Sequence, residues 1–486
     1  MQAILSELPW GLLLILIPLI GGIACFLFQS AAGRIGLLIA SLVLFAAVGL
    51  GWQLSSRGVF QHAVGGWGAP LGIDLYADGL SLLMLVMTAL VGFGVSLYAT
   101  GYFKPAHSAR FWPLWLFLLG ALNALFLSAD LFNLYVTLEL VGLSAVALTA
   151  IQGGRDALTG AMRYLLATLL GSLAYLLGVA LLYHGFGTVD IALLSERMMP
   201  SPVAWAALGL MSAGLILKTA LFPLYFWLPP AHASAPAPVS AVLSALVVKA
   251  SFYILLRLWL AIFADISGNV AGLFGLLGAG AVVWGSLQAL RQTRVKLLVA
   301  YSTVAQIGYL FLVYPLAPGM GITAWSAMAY LLISHALAKA AMFMAAGNLM
   351  QFGGHDRIAD LDRVVQRLPL TAGAFALAGV SIMGLPPSGG FNGKWLLLQA
   401  ALAQGRWDLV VVILLGGLLA AGYVFKVLGN TFTQALRTHE PVSVPARMQW
   451  AAMLLGVGAI LLGFLASPFL ALLEVGDPFT IGGKQP

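Results

Sequence analysis

The residues best suited to chemistry are ionisable side chains set inside apolar stretches. Lys218, Lys249, Lys339 and Lys394 lie deep within such stretches, and Lys426 lies nearer the end of one. Glu139 follows Asp130 by nine residues. At ~1.5 Å per residue it sits ~13 Å inside its stretch, near the middle of a ~30 Å hydrocarbon layer. A charge at that depth costs at least ~2.5–3.5 kcal/mol, and such groups commonly mark ion or proton paths. A lone buried carboxylate tends to take up a proton and a lone buried lysine to lose one, whereas paired, each favours the charged form of the other. Glu139 and Lys218 are therefore an expected pair. Lysine suits a proton relay because burial eases release and a nearby carboxylate reverses that. His335 and Lys339 are four apart and share a helix face beside Ser334. Lys249 lies midway along a run that begins at Ser240. His232 falls in a proline-rich stretch. There it either connects Lys218 to Lys249 or to the inner side, or is solvated as an ordinary loop residue. Waters between the lysines would carry the hops.

Other chemistries find little support. The histidines and acids show no metal-ligand spacing, and the glycines form no phosphate-binding loop beside a strand, so neither metal nor cofactor is expected. Cys25 is the only cysteine, so an intrachain disulfide and a cysteine-ligated zinc or iron–sulfur centre are excluded. The formal charge is +7, but the basic residues are scattered between apolar runs without a patch of interleaved aromatics, which argues against nucleic acid. Residues 1–10 hold Glu7 and no Lys or Arg, so the first apolar run reads as a retained span rather than a signal peptide.

These side chains must be positioned by membrane helices. The chain is 61% hydrophobic and 8% charged, against roughly 25% charged in a soluble domain. It reads as an all-α polytopic membrane protein with about fourteen spans, at 9–29, 34–54, 77–99, 110–128, 130–150, 161–184, 202–228, 236–260, 271–291, 297–315, 322–349, 369–403, 407–432 and 447–473, each near or above the ~20 residues a crossing needs. Loops after odd-numbered spans hold Arg34, Lys104, Arg110, Arg155, Arg163, Arg291, Arg294, Lys296, Arg357, Arg363, Arg367, Arg437 and Arg447. The other side holds only Arg57, Arg197, Arg406 and Lys484. Positive residues stay inside, so the odd loops are expected in the cytoplasm and both termini outside. Arg257 and Lys426 lie within about two turns of a span end and read as snorkelling to the interface.

Two spans carry helix breakers. Span 7 contains Lys218-Thr219-Ala220-Leu221-Phe222-Pro223, then Pro229 and Pro230; span 12 contains Gly384-Leu385-Pro386-Pro387-Ser388-Gly389-Gly390 and then Lys394. Proline removes a backbone donor and clashes with the preceding turn. The carbonyls it frees must face protein or a water-filled cavity. Span 7 is fourth in spans 4–8 and span 12 is fourth in spans 9–13. Five is odd, so the second block crosses with opposite sense, and paired broken helices in opposed halves point to a transport site. The expected organisation is a single membrane domain, 1–486: three N-terminal spans in 1–108, one five-helix repeat in 109–260, an inverted repeat in 261–435, and the last span and tail in 436–486.

The stretches Asp130-Leu131-Phe132-Asn133-Leu134-Tyr135-Val136-Thr137-Leu138-Glu139, Lys218 to Pro229, Ala231-His232, Pro238-Val239-Ser240-Ala241, Val248-Lys249 and His335 to Lys339 resemble one family. It is the antiporter-like membrane subunits shared by Mrp-type cation/proton antiporters, respiratory complex I and membrane-bound hydrogenases, and the resemblance runs from about residue 70 to 430. It implies fourteen core helices with inverted five-helix repeats and no chemistry on this chain itself. By the resemblance, Glu139 is the span-5 glutamate, Lys218 its span-7 partner, Lys249 the central span-8 lysine and Lys394 the span-12 residue nearest the outer exit. Partner membrane subunits, a bacterial-type cell membrane, H⁺, and Na⁺ or K⁺ follow from it too. Lysine at 394, the Asp130 to Tyr135 stretch and an end soon after span 14 resemble the Mrp D-type subunit. Pro230 replaces an acidic residue common in the family, and the Ala231 to Pro236 run resembles hydrogenase-type subunits. The alternative implied is the proton-pumping arm of an NADH–quinone oxidoreductase or hydrogenase.

Overall fold

The computed structural model describes residues 8–435, 442–476 and 479. Glu7, Arg437 and Lys484, which entered the N-terminal and orientation readings, lie outside the described residues.

Hydrocarbon offers the backbone no hydrogen bonds, so apolar runs satisfy their own amides as helices. The helices that build the protein are α1 (Trp10–Leu27), α2 (Ala32–Arg57), α3 (Gly79–Tyr102), α4 (Pro105–Leu127), α5 (Leu131–Thr149), α6 (Arg155–Phe186), α7 (Pro202–Thr219), α8 (Leu228–Ser234), α9 (Ala237–Ile262), α10 (Ala264–Arg291), α11 (Val295–Phe311), α12 (Ala317–Gly353), α13 (Pro369–Met383), α14 (Gly389–Ala403), α15 (Trp407–Asn430) and α16 (Ala446–Leu461). Among the described residues, 12 helices are long and apolar enough to cross a membrane. The expectation of fourteen differs by two. Expected span 10 is the shorter apolar α11, and expected span 12 is the pair α13 and α14, neither of membrane length alone. The one sheet among the described residues is a small antiparallel hairpin of β1 (Phe60–Ala63) and β2 (Asp74–Ala77), in the connection between α2 and α3.

Both expected breaks are present. α7 stops at Thr219, and Ala220 turns into the left-handed region (φ 59°). Pro223 lies in the connection, while Pro229 and Pro230 open α8, where a missing N–H is harmless. α13 stops at Gly384 (φ 80°), a conformation that favours glycine. Pro386 and Pro387 follow, and Ser388 Oγ then caps α14 by accepting from the Phe391 amide at 3.1 Å.

The neighbours repeat. In the block α4–α9 and in the block α10–α15, the first helix packs on the second and the second on the third. The third packs on both halves of the broken fourth, and the fourth on the fifth. α9 and the core of α12 are buried along their whole apolar length, whereas α6 exposes Leu166, Leu170, Leu173 and Leu177 at helical spacing. A polar axis borne on α9 and α12 is therefore shielded from lipid on every side.

Candidate functional site

The first cluster forms where three helices meet. Asp130 caps α5, its Oδ1 accepting from the Asn133 amide at 2.7 Å, and Glu139 follows along that helix. Lys218 lies in the last turn of α7, where the helix dipole favours a cation. Its Nζ is 3.0 Å from Glu139 Oε1. Ser172 of α6 lies between the two: its hydroxyl donates to the carboxylate and accepts from the ammonium. Two glycines allow this approach. A Cβ at Gly214 would lie 2.2 Å from the Gly171 carbonyl oxygen, and one at Gly171 would lie 2.8 Å from Lys218 Cγ. The lysine side chain is 6% exposed and the glutamate 18%, so the carboxylate is only partly buried. Trp227 Nε1 donates to the Leu217 carbonyl at 2.8 Å and ties the two sides of the break together.

Lys249 is held differently. Residues Leu243–Val247 of α9 form a π turn, which displaces one carbonyl from regular α pairing. Lys249 Nζ donates to the carbonyls of Ser244 (3.0 Å) and Ala245 (2.9 Å). Ser244 Oγ is 2.8 Å from Thr303 Oγ1 on α11. Thr303 donates to the Val299 carbonyl at 3.1 Å, and Lys339 Nζ of α12 donates to the same oxygen at 3.1 Å. Lys339 also bonds to the Ser302 hydroxyl. One residue after Lys218, Thr219 Oγ1 donates to Ser251 Oγ on α9 at 3.0 Å. Hydroxyls and carbonyls thus link the lysine-bearing helices of the two blocks.

Lys394 lies in α14 yet reaches back to the end of α13, where its Nζ donates to the Ile382 carbonyl at 2.8 Å. It also lies 4.4 Å from the centroid of the Tyr309 ring, a cation–π contact. A Cβ at Gly384 would lie 2.6 Å from Lys394 Cδ, so glycine serves both the turn and the lysine's passage. Among the described residues, Lys249, Lys339 and Lys394 make no ion pair. His335 is buried within electrostatic reach of all three, and neither ring nitrogen has a protein hydrogen-bond partner. Buried polar atoms without a protein partner are commonly met by water.

The structure brings Glu139 and Lys218 together as expected and gathers Lys249, His335, Lys339 and Lys394 on adjoining helices. It moves three other residues. His232 is fully buried in α8, stacked on Phe343 at 4.5 Å, and the cations acting on it are Lys296 and Lys339. It is not a solvated loop residue, because the break folds α8 back into the core. Arg257 does not snorkel: Asp78 at the start of α3 accepts from its Nη1 at 2.6 Å, and an inward partner removes the need to reach the interface. Lys296, expected among the loop cations, is buried and donates to the Ala235 carbonyl. Lys426 is half-buried and donates at 2.7 Å to the Leu290 and Gln292 carbonyls at the end of α10. Sequence reasoning missed Ser172, Ser251, Ser302 and Thr303. A hydroxyl inside an apolar run was their only signal, and most such hydroxyls simply bond their own helix.

Known proteins share this arrangement of helices. Residues 128–420 match the family described as NADH:quinone oxidoreductase/Mrp antiporter, TM, which is more than half of the chain. The chain belongs to this family. Residues 67–112 also match the NADH-Ubiquinone oxidoreductase (complex I), chain 5 N-terminus family. The N-type subunit of an NADH-quinone oxidoreductase from Desulforudis audaxviator is 36% identical, covering 94% of this chain and 96% of the relative. The D-type subunit of a Na(+)/H(+) antiporter from Bacillus subtilis is 29% identical, with 86% of each chain covered. A chain in the structure of the membrane-bound sulfane sulfur reductase, an archaeal respiratory membrane complex, superposes with a TM-score of 0.89 at 29% identity, over 97% of this chain and 98% of that one. The chain is thus a multi-pass membrane protein of the antiporter-like subunit type.

Proposed function

We propose that the chain relays protons within a multisubunit Mrp-type antiporter that exchanges Na⁺ or K⁺ for H⁺. The observation that carries this reading is the Glu139–Lys218 pair at 3.0 Å, its lysine buried at the end of a broken helix and continued by three further buried lysines. Separating Glu139 from Lys218 removes the interaction that keeps the ammonium charged. The proton then passes through water toward Lys249, across the His335 region to Lys339, and out by Lys394. His232 and Lys296 would lie on the inner approach to this line. The cytoplasmic placement of the basic loops, both termini outside, and the two inverted five-helix blocks belong to the same reading.

A second reading has its own support. The 36% identity to the N-type subunit of an NADH-quinone oxidoreductase favours the proton-pumping arm of a redox complex. The same side chains would serve both, and the driving reaction would lie in other subunits. Purifying the intact complex separates the two: flavin and iron–sulfur subunits that copurify would reject the antiporter reading. For the relay, Lys218→Ala or Glu139→Ala in the intact complex is expected nearly to abolish proton-coupled activity while assembly persists. Full activity in either variant would remove the axis.

A further inference from the structure

A cavity of about 610 Å³ lies where the connections α2–α3, α4–α5 and α6–α7 approach the C-terminal part of α9, on the side opposite the basic loops. Its wall includes Ser195 and Glu196 at the open rim and Asp78, Tyr253 and Arg257 toward the core. The inner group is closely bonded. Arg257 donates to both Asp78 oxygens, Nη1 at 2.6 Å, and Nη2 donates to Ser81 Oγ at 2.8 Å. Arg257 Nε donates to Tyr253 Oη at 3.0 Å, and that hydroxyl donates to the Phe126 carbonyl at 3.1 Å. Asp78 and Tyr253 are almost entirely buried. Lys249, Tyr253 and Arg257 follow one another at four-residue intervals, on one face of α9. The cavity therefore reaches Tyr253, one helical turn from Lys249, and the Asp78–Arg257 pair bonded to Tyr253 lies a further turn along α9.

We propose that this cavity is an outer aqueous approach to Lys249, and that the Asp78–Arg257 pair with Tyr253 closes it toward the core. In the closed arrangement Lys249 is turned away from the cavity, its ammonium held by the Ser244 and Ala245 carbonyls. Loosening the pair lets water advance past Tyr253 to the lysine. The proton then leaves Nζ for that water, the amine keeps the electron pair, and the hydronium formed passes its proton on to cavity water. The guanidinium at the floor repels other cations from the same passage. The assignment of Lys249 as a proton carrier rests on the relay reading; the access path does not.

Cysteine accessibility in the intact complex tests the path without measuring transport. In a Cys25→Ser background, Ser195→Cys reports the rim and Lys249→Cys the inner end, each treated with a membrane-impermeant thiol reagent on either face of sealed vesicles. Ser195→Cys is expected to react readily from one face, and Lys249→Cys to be protected from it. Adding Asp78→Asn or Arg257→Gln to Lys249→Cys should raise its labelling rate from that face by roughly a hundredfold, on the scale of a broken buried pair. The exchanged pair Asp78→Arg with Arg257→Asp should restore protection, which also guards against a variant that merely unfolds. Lys249→Cys that reacts equally with the pair intact would overturn the closure. Protection that survives loss of the pair would show that the pair only ties α3 to α9, and would overturn the path.

Discussion

The two broken helices solve one problem by different means. In the first, Lys218 sits on the half-helix before the break and meets a carboxylate and a hydroxyl from two other helices. In the second, Lys394 sits on the half-helix after the break and turns back to the carbonyl end of the half before it, under an aromatic ring. One ammonium is balanced by a full charge on another helix; the other is held by backbone dipoles and a ring face. In the proposed relay, the difference would give the two ends of the axis separate tasks. A cation whose partner is a carboxylate on another helix would be switched by their separation, so in that relay the Lys218 end would suit control of uptake. A cation held by backbone dipoles and a ring face carries no comparable switch, so in that relay the Lys394 end would suit passive exchange with whatever lies beyond it.

The comparison can be broken by stability. Lys218→Met should leave Glu139 buried without its counter-charge. Loss of a fully buried pair costs about 3–5 kcal/mol, and the partial exposure of Glu139 lowers this to roughly 2 kcal/mol. Lys394→Met removes a cation without stranding a carboxylate, so its effect on thermal stability should stay within about 1 kcal/mol, as buried ionic groups are often replaceable by well-packed apolar ones. Both variants should lose proton-coupled activity. Equal destabilisation in a thermal unfolding assay would remove the proposed asymmetry.

Packing provides the next test. Gly214→Ala should force α6 and α7 apart, at about 1–3 kcal/mol for an overpacked contact, and carry Ser172 away from Lys218. Activity should fall with the Lys218–Glu139 geometry even though no ionisable group changes. Native activity and unchanged thermal stability would show that the helices do not need this closeness. Ser172→Ala should have a smaller effect, about 1 kcal/mol for one hydrogen-bonded hydroxyl, with slowed rather than abolished turnover. No corresponding hydroxyl stands between Lys394 and a carboxylate among the described residues, so Ser381→Ala near the second break should leave the rate closer to native. A larger loss from Ser381→Ala would reverse the contrast; Ser381 instead pairs with Ser334 at 2.7 Å.

Most of the helical architecture was legible in the sequence. Long apolar runs have one backbone solution in lipid, and Pro223, Pro386 and Pro387 mark interruptions because they cannot continue a helix. The deep lysines were legible for the same reason: their cost is a property of residue type and depth. Arg257 and Lys296 were misplaced because distance from a span end does not say whether a partner lies inward. The hydroxyls beside Lys218 and Lys339 were missed because serine and threonine are ordinary in a membrane helix unless the facing helix is known.

By itself, the sequence determined that this chain spans a membrane, that it bears one deep carboxylate and a set of deep lysines, and where two helices break. Those features follow from local composition and from the cost of polarity in hydrocarbon. Only the tertiary structure decided which charges are balanced: Glu139 by Lys218, Asp78 by Arg257, and Lys249, Lys339 and Lys394 by backbone carbonyls. Electrostatic balance depends on distances of a few ångströms between residues far apart in the chain, and those distances are set by close helix contacts such as that at Gly171 and Gly214.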